Sequence, residues 1–482
     1  MRNRPRFRAT VALLVGAWFT LLAPSASAVP ACVLGATVMT VTIGDGETAS
    51  LTNDGTNVAV TEAGCSFTLA SVTGITVNGS AGANTLSVTA PSSGTWSYPL
   101  ITLALGAGAN AVQIEGSGVV DTITLATRFA GGATATTTTV NGNAGNDNVN
   151  AADWAGVVVL NGGDGDDLLT GSAQADTISG GAGTDTIAGR GGADTLDGGL
   201  GDNDVADYGG SAAGVTVTVN ALTGNVGGDA AGDTLVGIED LVGSTHRDVL
   251  TGDAKANGLT GGAGNDTLQG LGGADVLAGG DGKDTASYSA STAAVTVTLG
   301  GGLSGGDAAG DTLSVENLTG SAYKDQLTGD ANNNRIDGLG GADVLKGGDG
   351  NDTISGGGGD DKLAGGPGID ILSYASATAK VTVDLGTGVA TGQGPDTFSG
   401  FENVTGGPGD DLIRGNAARN VIRGGAGSDA ISGFGGNDKL IGNGGADSLV
   451  GGDGDDALNG GVGQDACQGG TGTTTYTSCE SR

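Results

Sequence analysis

The chain has 482 residues, and Gly and Pro supply about 22 % of them, too many for an ordinary globular core unless they recur with a period. Aromatic residues are only 3 % of the total, and 53 acidic residues face 19 basic ones. A charge of −34 repels nucleic acid and anionic membranes and attracts cations, and a lone histidine, His246, excludes any site that needs two.

Residues 1–28 read as a secretory signal peptide. Arg2, Arg4, Arg6 and Arg8 precede an apolar run from Val11 to Leu22, and Ala26-Ser27-Ala28 is an A-x-A cleavage site. Beyond it the remaining 15 basic residues face all 53 acids, a net of −38. No later stretch is apolar enough to insert in a membrane, so the expected location is extracellular. The four cysteines form two local pairs. In an exported chain the expected disulfides are Cys32–Cys65 and Cys467–Cys479, because other pairings would join distant ends of an elongated molecule.

Residues 29–141 are Thr/Val-rich and predict a β-rich N-terminal region, built of wider solenoid coils or a β-rich cap. It holds faded turns, and only the one from Asn141 to Val149 carries an acid, Asp147. Trp96, Tyr98 and Trp154 are expected to pack a core or cap rather than stack on a sugar.

From residue 162 a nine-residue frame takes over, set by Gly162-Gly163-Asp164-Gly165-Asp166-Asp167-Leu168-Leu169-Thr170. It occupies four runs, at 142–205, 243–284, 320–370 and 406–470. The sixth position is Asp167, Asp176, Asp185 and Asp194 in the first run, and Asp266, Asp275 and Asp284 in the second. The third supplies Asp343, Asp352, Asp361 and Asp370. The fourth supplies Asp411, Asp429, Asp438, Asp447, Asp456 and Asp465. The later runs open on degenerate turns at Asp248 and Asp325, and Asn257, Asn334 and Asn420 follow, where metal binding is expected to be weak or absent. Asn203 marks a similar fading end of the first run.

Between runs lie three irregular modules, 206–242, 285–319 and 371–405, and a tail, 471–482, closes the chain. Each module starts at a tyrosine (Tyr208, Tyr288, Tyr374), continues through an alternating strand such as Val215 to Val219, and closes on Glu239, Glu316 or Glu402.

The spacing has a direct chemical reading. Six turn-forming residues and a three-residue strand make half a coil, so turns 18 residues apart stack about 4.8 Å from each other. Asp167 then meets Asp185, and Asp176 meets Asp194. Carboxylates that close repel, and a hard cation that takes carboxylate and carbonyl oxygens removes the repulsion. Calcium fits better than magnesium, and pairing acids 18 apart gives eleven candidate sites, on the order of ten ions.

The repeats resemble the RTX (repeats-in-toxin) nonapeptides over most of residues 142–470, and the Ala/Gly/Thr-rich chain with its cysteine tail is similar to secreted actinobacterial members. The resemblance implies an all-β fold, a parallel β-roll or β-helix solenoid, with calcium held by position-six carboxylates and turn carbonyls. It carries over best to the turns ending at Asp185, Asp266, Asp352 and Asp456. RTX toxins and proteases bear an effector domain ahead of the repeats; here that space holds about 130 β-rich residues without a G-x-S-x-G elbow or paired histidines. The expected role is a secreted calcium-binding structural or binding module, not an enzyme, with an unidentified surface or polysaccharide partner and no nucleic-acid partner. A surface-layer or adhesin stalk is the alternative, and a toxin or hydrolase a further one.

Overall fold

A computed structural model describes residues 137–481 and the backbone of the strands between Ala31 and Thr127. The signal peptide and the side chains of Cys32, Cys65, Trp96 and Tyr98 lie outside the described residues. The chain divides into two units, Met1–Thr245 and His246–Arg482.

In the first unit successive strands fall alternately into two sheets. One takes Asp121–Thr127, Asn148–Asp153, Leu168–Thr170 and Thr186–Ala188; the other takes Ala111–Glu115, Thr138–Ala144, Val158–Asp164, Thr177–Ala182 and Thr195–Leu200. Pairing within each sheet is parallel and steps by one coil, with Leu169 beside Ile187 and Ile178 beside Leu196. This is a β-roll, and no α-helix occurs among the described residues. The N-terminal region forms coils of the same kind: Val38–Ile43 pairs in parallel with Gly74–Gly79, and that strand with Leu100–Ala104. Antiparallel strands, Ala31–Gly35 and the ribbon through Asn57–Val60 and Cys65–Thr68, lie at its start.

The second unit repeats the plan. One sheet stacks Val249–Thr251, Thr267–Gln269, Thr285–Ser287, Asn317–Thr319 and Arg335–Asp337, and continues coil by coil to Thr475–Thr477. Opposite it lie strands such as Gln326–Thr328, Val344–Lys346 and Lys362–Ala364.

The strand register explains the core. In the three-residue strands of the repeats the middle side chain faces inward, so each nonapeptide contributes one core residue, usually aliphatic. Leu169, Ile178, Ile187, Leu196, Ile336, Leu345 and Ile354 are fully buried. Each is worth about 1.5–3 kcal/mol of burial. Trp154 is buried as well.

Within each unit the irregular modules are longer coils that continue its stack. Strand Thr195–Leu200 pairs in parallel with Thr234–Val236 across the first module, and Lys362–Ala364 with Asp396–Ser399 across the third. Their alternating strands bury one face, with Val215, Val217 and Val219 inside. The extra length folds as local antiparallel pairs, Thr382–Asp384 with Val389–Thr391 and that strand with Asp396–Ser399.

Candidate metal centre

Within each unit the turns place the position-six side chains in two ladders, one on each side of the coils. Within a ladder each Asp Oδ1 accepts the backbone N–H of the ladder residue one coil earlier. Asp167 N–H donates to Asp185 at 2.8 Å, Asp176 to Asp194 at 2.7 Å and Asp352 to Asp370 at 2.8 Å. The second oxygen behaves differently. In sixteen aspartates Oδ2 is buried and accepts no hydrogen bond from a described residue: Asp167, Asp185, Asp194, Asp204, Asp266, Asp275, Asp284, Asp343, Asp352, Asp361, Asp370, Asp429, Asp438, Asp447, Asp456 and Asp465. Fifteen of these are among the seventeen sequence-predicted ligands.

Asp176 and Asp411 are the exceptions, because both their oxygens are engaged. Oδ2 of Asp176 accepts the Ser172 N–H and hydroxyl, and Oδ2 of Asp411 accepts the Gly407 N–H. Their Oδ1 atoms take the N–H groups of Val158 and Val381. Asp325 is closed in the same way by Ser321. Asn334 and Asn420 need no cation: each Oδ1 accepts a turn N–H and each Nδ2 donates to the carbonyl of Glu316 or Glu402.

Glycine at the first position of each turn makes the space. A Cβ on Gly162 would strike the Asp167 carboxylate and the Gly180 carbonyl oxygen, and one on Gly347 would strike the Asp352 carboxylate and the Gly365 carbonyl. The orphan oxygen and a carbonyl of the next coil therefore share one cradle lined by oxygen. No three His, Cys, Asp or Glu side chains among the described residues converge as a metal cluster. A cation held here takes at most two carboxylates and completes its shell with carbonyls, the donor set of a calcium turn rather than of a transition-metal site.

Electrostatics agree. Burial pushes the Asp343 carboxyl up to about 7; the Asp325 N–H opposes this, and the charges of Asp361 and Asp325 add to it. Asp167 and Asp429 also rise to about 7 and Asp194 to about 8, in each case chiefly through desolvation. Such groups resist ionising unless a positive charge joins them.

Several ladder members escaped the sequence reading. Asp204, one residue past the frame, receives the Asp185 N–H at 2.8 Å, so the first run continues where Asn203 had suggested it fades. Asp233, Asp311 and Asp396 terminate ladders inside the irregular modules, where they accept N–H groups from Asp194, Asp275 and Asp361. Their Oδ2 atoms accept the buried hydroxyls of Tyr208, Tyr288 and Tyr374 at 3.0, 3.0 and 2.7 Å. The signal was present in the paired Tyr and Asp of each module, but spacings of 22 to 25 residues fall outside the nonapeptide frame. Glu239, Glu316, Glu402 and Glu480 cap four further ladder ends through their Oε2 atoms, accepting the N–H groups of Asp204, Asp284, Asp370 and Asp465. Cys467 and Cys479 form a disulfide with Cα atoms 5.8 Å apart.

A roll of parallel coils with glycine turns and stacked aspartates defines the calcium-binding β-roll class. The RTX calcium-binding nonapeptide repeat matches this chain in overlapping copies that span residues 159–205, 251–286, 312–372 and 396–467. The chain thus carries RTX repeats, and such repeats bind calcium. Comparison with characterised proteins finds no significant match. No helix among the described residues is long and apolar enough to cross a membrane.

Proposed function

We propose that this chain is an exported protein whose roll takes up extracellular calcium and serves as a structural or binding module. The observation that carries the reading is the set of sixteen buried aspartate oxygens without a described hydrogen-bond partner. Leaving one such group unpaired costs on the order of 1–3 kcal/mol, and more when it is charged. A cation between stacked turns removes that cost. Eight pairs of successive orphaned carboxylates provide the sites: 167/185, 185/204, 266/284, 343/361, 352/370, 429/447, 447/465 and 438/456. The residues that hold calcium are these position-six aspartates with turn carbonyls. Binding energy is then folding energy, because the sites do not exist in the unfolded chain.

Export is supported by the basic, apolar and A-x-A segments at the N-terminus and by the Cys467–Cys479 disulfide, which suits an oxidising compartment. A non-catalytic role is supported by the carboxylates themselves, each used in a ladder rather than set apart in a cleft.

The test is far-UV circular dichroism of purified 29–482 titrated with calcium from a chelated start, with magnesium as control and bound calcium counted by equilibrium dialysis. A cooperative gain of β signal with calcium alone, saturating near eight ions, is the expected result. A β-rich spectrum indifferent to calcium overturns the reading.

A further inference from the structure

One face of the second unit carries a basic groove on an acidic chain. A groove of about 460 Å³ crosses the sheet of strands Val249–Thr251, Thr267–Gln269, Thr285–Ser287, Asn317–Thr319, Arg335–Asp337 and Thr353–Ser355. Three basic residues line it, Arg247, Lys283 and Arg335, and no acidic side chain does. In a chain with 53 acids, none of the three forms an ion pair with a described residue.

Its origin lies in the ladder. Arg247, Asn265 and Lys283 hold the fifth position in successive coils, just before Asp248, Asp266 and Asp284. In the next coil Glu316 replaces the aspartate, and Val315 and Asn317 beside it are recessed to 8 % and 7 % exposure. Asn333 and Arg335 rise again in the coil after. The Glu402 joint is recessed in the same way, with Phe401 and Asn403 at 5 % and 7 % exposure, but it lacks the cations: Ile369 and Val421 stand where Lys283 and Arg335 do, and Phe401 packs edge-on to Phe398.

The charged and amide groups of the groove present donors. Oδ1 of Asn265 accepts the Lys283 N–H, Oδ1 of Asn317 the Arg335 N–H, and Oδ1 of Asn333 the Asn351 N–H. Each asparagine is left with Nδ2, which makes no hydrogen bond to a described residue. Asn317 is the most buried of the three. Thr267, Thr285 and Thr353 add hydroxyls between the cations.

The spacing of charge selects the ligand. Hydrogen-bonded strands lie about 4.8 Å apart, so cations on every second coil recur at about 10 Å along the stack, with Arg335 set two positions further along its coil than Arg247 and Lys283. Nucleic-acid phosphates recur much more closely, and the groove has no aromatic ring for a base to stack on. About 10 Å is close to the length of one disaccharide. We propose that this groove binds a short acidic glycan carrying one anionic group per disaccharide, its carboxylates or sulfates on Arg247, Lys283 and Arg335 and its hydroxyls on the asparagine amides and threonines. The site rests on the calcium-set roll described above, which must be folded for the coils to align.

The probes are oligosaccharides of unsulfated chondroitin, with neutral chitin oligosaccharides, oligogalacturonate (one carboxylate per sugar) and single-stranded DNA as comparisons. Binding is measured by calorimetry at saturating calcium with circular dichroism on the same samples. Chondroitin oligosaccharides bind best, and Lys283→Gln with Arg335→Gln weakens them at least about tenfold, the loss expected of two charged contacts. Arg419→Gln, an exposed basic residue on the same edge outside the groove, leaves binding unchanged. Equal binding of neutral and acidic glycans, tighter binding of DNA or of oligogalacturonate, or a folded double variant that binds like the parent overturns the proposal. Absence of calcium-induced β signal would instead refute the roll reading, so the two failures are distinguishable.

Discussion

Replacing Asp429 by Asn should shift stability in opposite directions with and without calcium. Asp429 is buried between Asp411 and Asp447; its Oδ1 accepts the Asp411 N–H at 2.8 Å and its Oδ2 has no described partner. Burial, with the neighbouring charges of Asp447, Asp411 and Asp410, pushes its carboxyl up to about 7 against the opposing Asp411 hydrogen bond. Holding it ionised at neutral pH therefore costs up to about 4 kcal/mol, and about 2 kcal/mol once solvent reaching the turn is allowed for. Asn removes the charge and keeps the Oδ1 acceptor. In chelator the variant should gain about 2 kcal/mol, read as a lower osmolyte concentration needed to fold it. In saturating calcium it should bind one ion fewer and unfold at lower urea. Asp176→Asn is the contrast, because an amide there meets the Ser172 donors, so it should lose stability in both conditions. Equal destabilisation of Asp429→Asn with and without calcium would refute the reasoning.

Acid should substitute for calcium. Burial pushes the carboxyls of Asp185, Asp343 and Asp194 up to about 6, 7 and 8 against 3.8 in the free side chain, so the folded state binds more protons between those limits. Stability without metal is then fully present below about pH 4 and is lost as pH rises through 6 to 8; circular dichroism in chelator across that window should show β signal growing as pH falls, and a flat profile would contradict it. Tyr374→Phe keeps the buried ring but strips Asp396 of its 2.7 Å hydroxyl, so a loss of about 1–3 kcal/mol in calcium-loaded urea unfolding is expected. Gly347→Ala should cost about 1–3 kcal/mol and one bound ion, because its methyl collides with the Asp352 carboxylate and the Gly365 carbonyl backbone. Gly191→Ala, open to solvent, should be silent in the same assay.

The local chemistry of the roll was legible in the sequence because it has a period. Turn composition, the single inward aliphatic and the 18-residue meeting of aspartates all repeat, and the strand register places them as those rules require. What was hidden depends on contacts that cross the period. That Asp176 and Asp411 have both oxygens occupied follows from Ser172 and Gly407, four residues earlier, which fill the oxygen that other turns leave open. Asp204 was obscured by a one-residue insertion that the coil absorbs without breaking the ladder. The tyrosine–aspartate caps required knowledge of how each long module folds back.

These caps bear on why the repeats come in four runs rather than one. An aspartate ladder has a register but no natural end, since each Oδ1 accepts one amide and each turn offers another. Here every interior end between runs is closed by a group that needs no metal. A tyrosine hydroxyl satisfies Asp311 and Asp396, and Glu316 and Glu402 hand their carbonyls to Asn334 and Asn420. Calcium-free joints of this kind hold the backbone of adjoining coils without ions, while the coils between them depend on ions for charge neutrality. Loss of calcium should therefore loosen the runs and spare the joints. Amide exchange during chelation tests this: protection at Tyr288, Ser291, Tyr374 and Ala377, whose N–H groups bond within the joints, should outlast protection at Asp352, Asp438 and Asp447, and simultaneous loss at all of them would show that the ladders and joints melt as one.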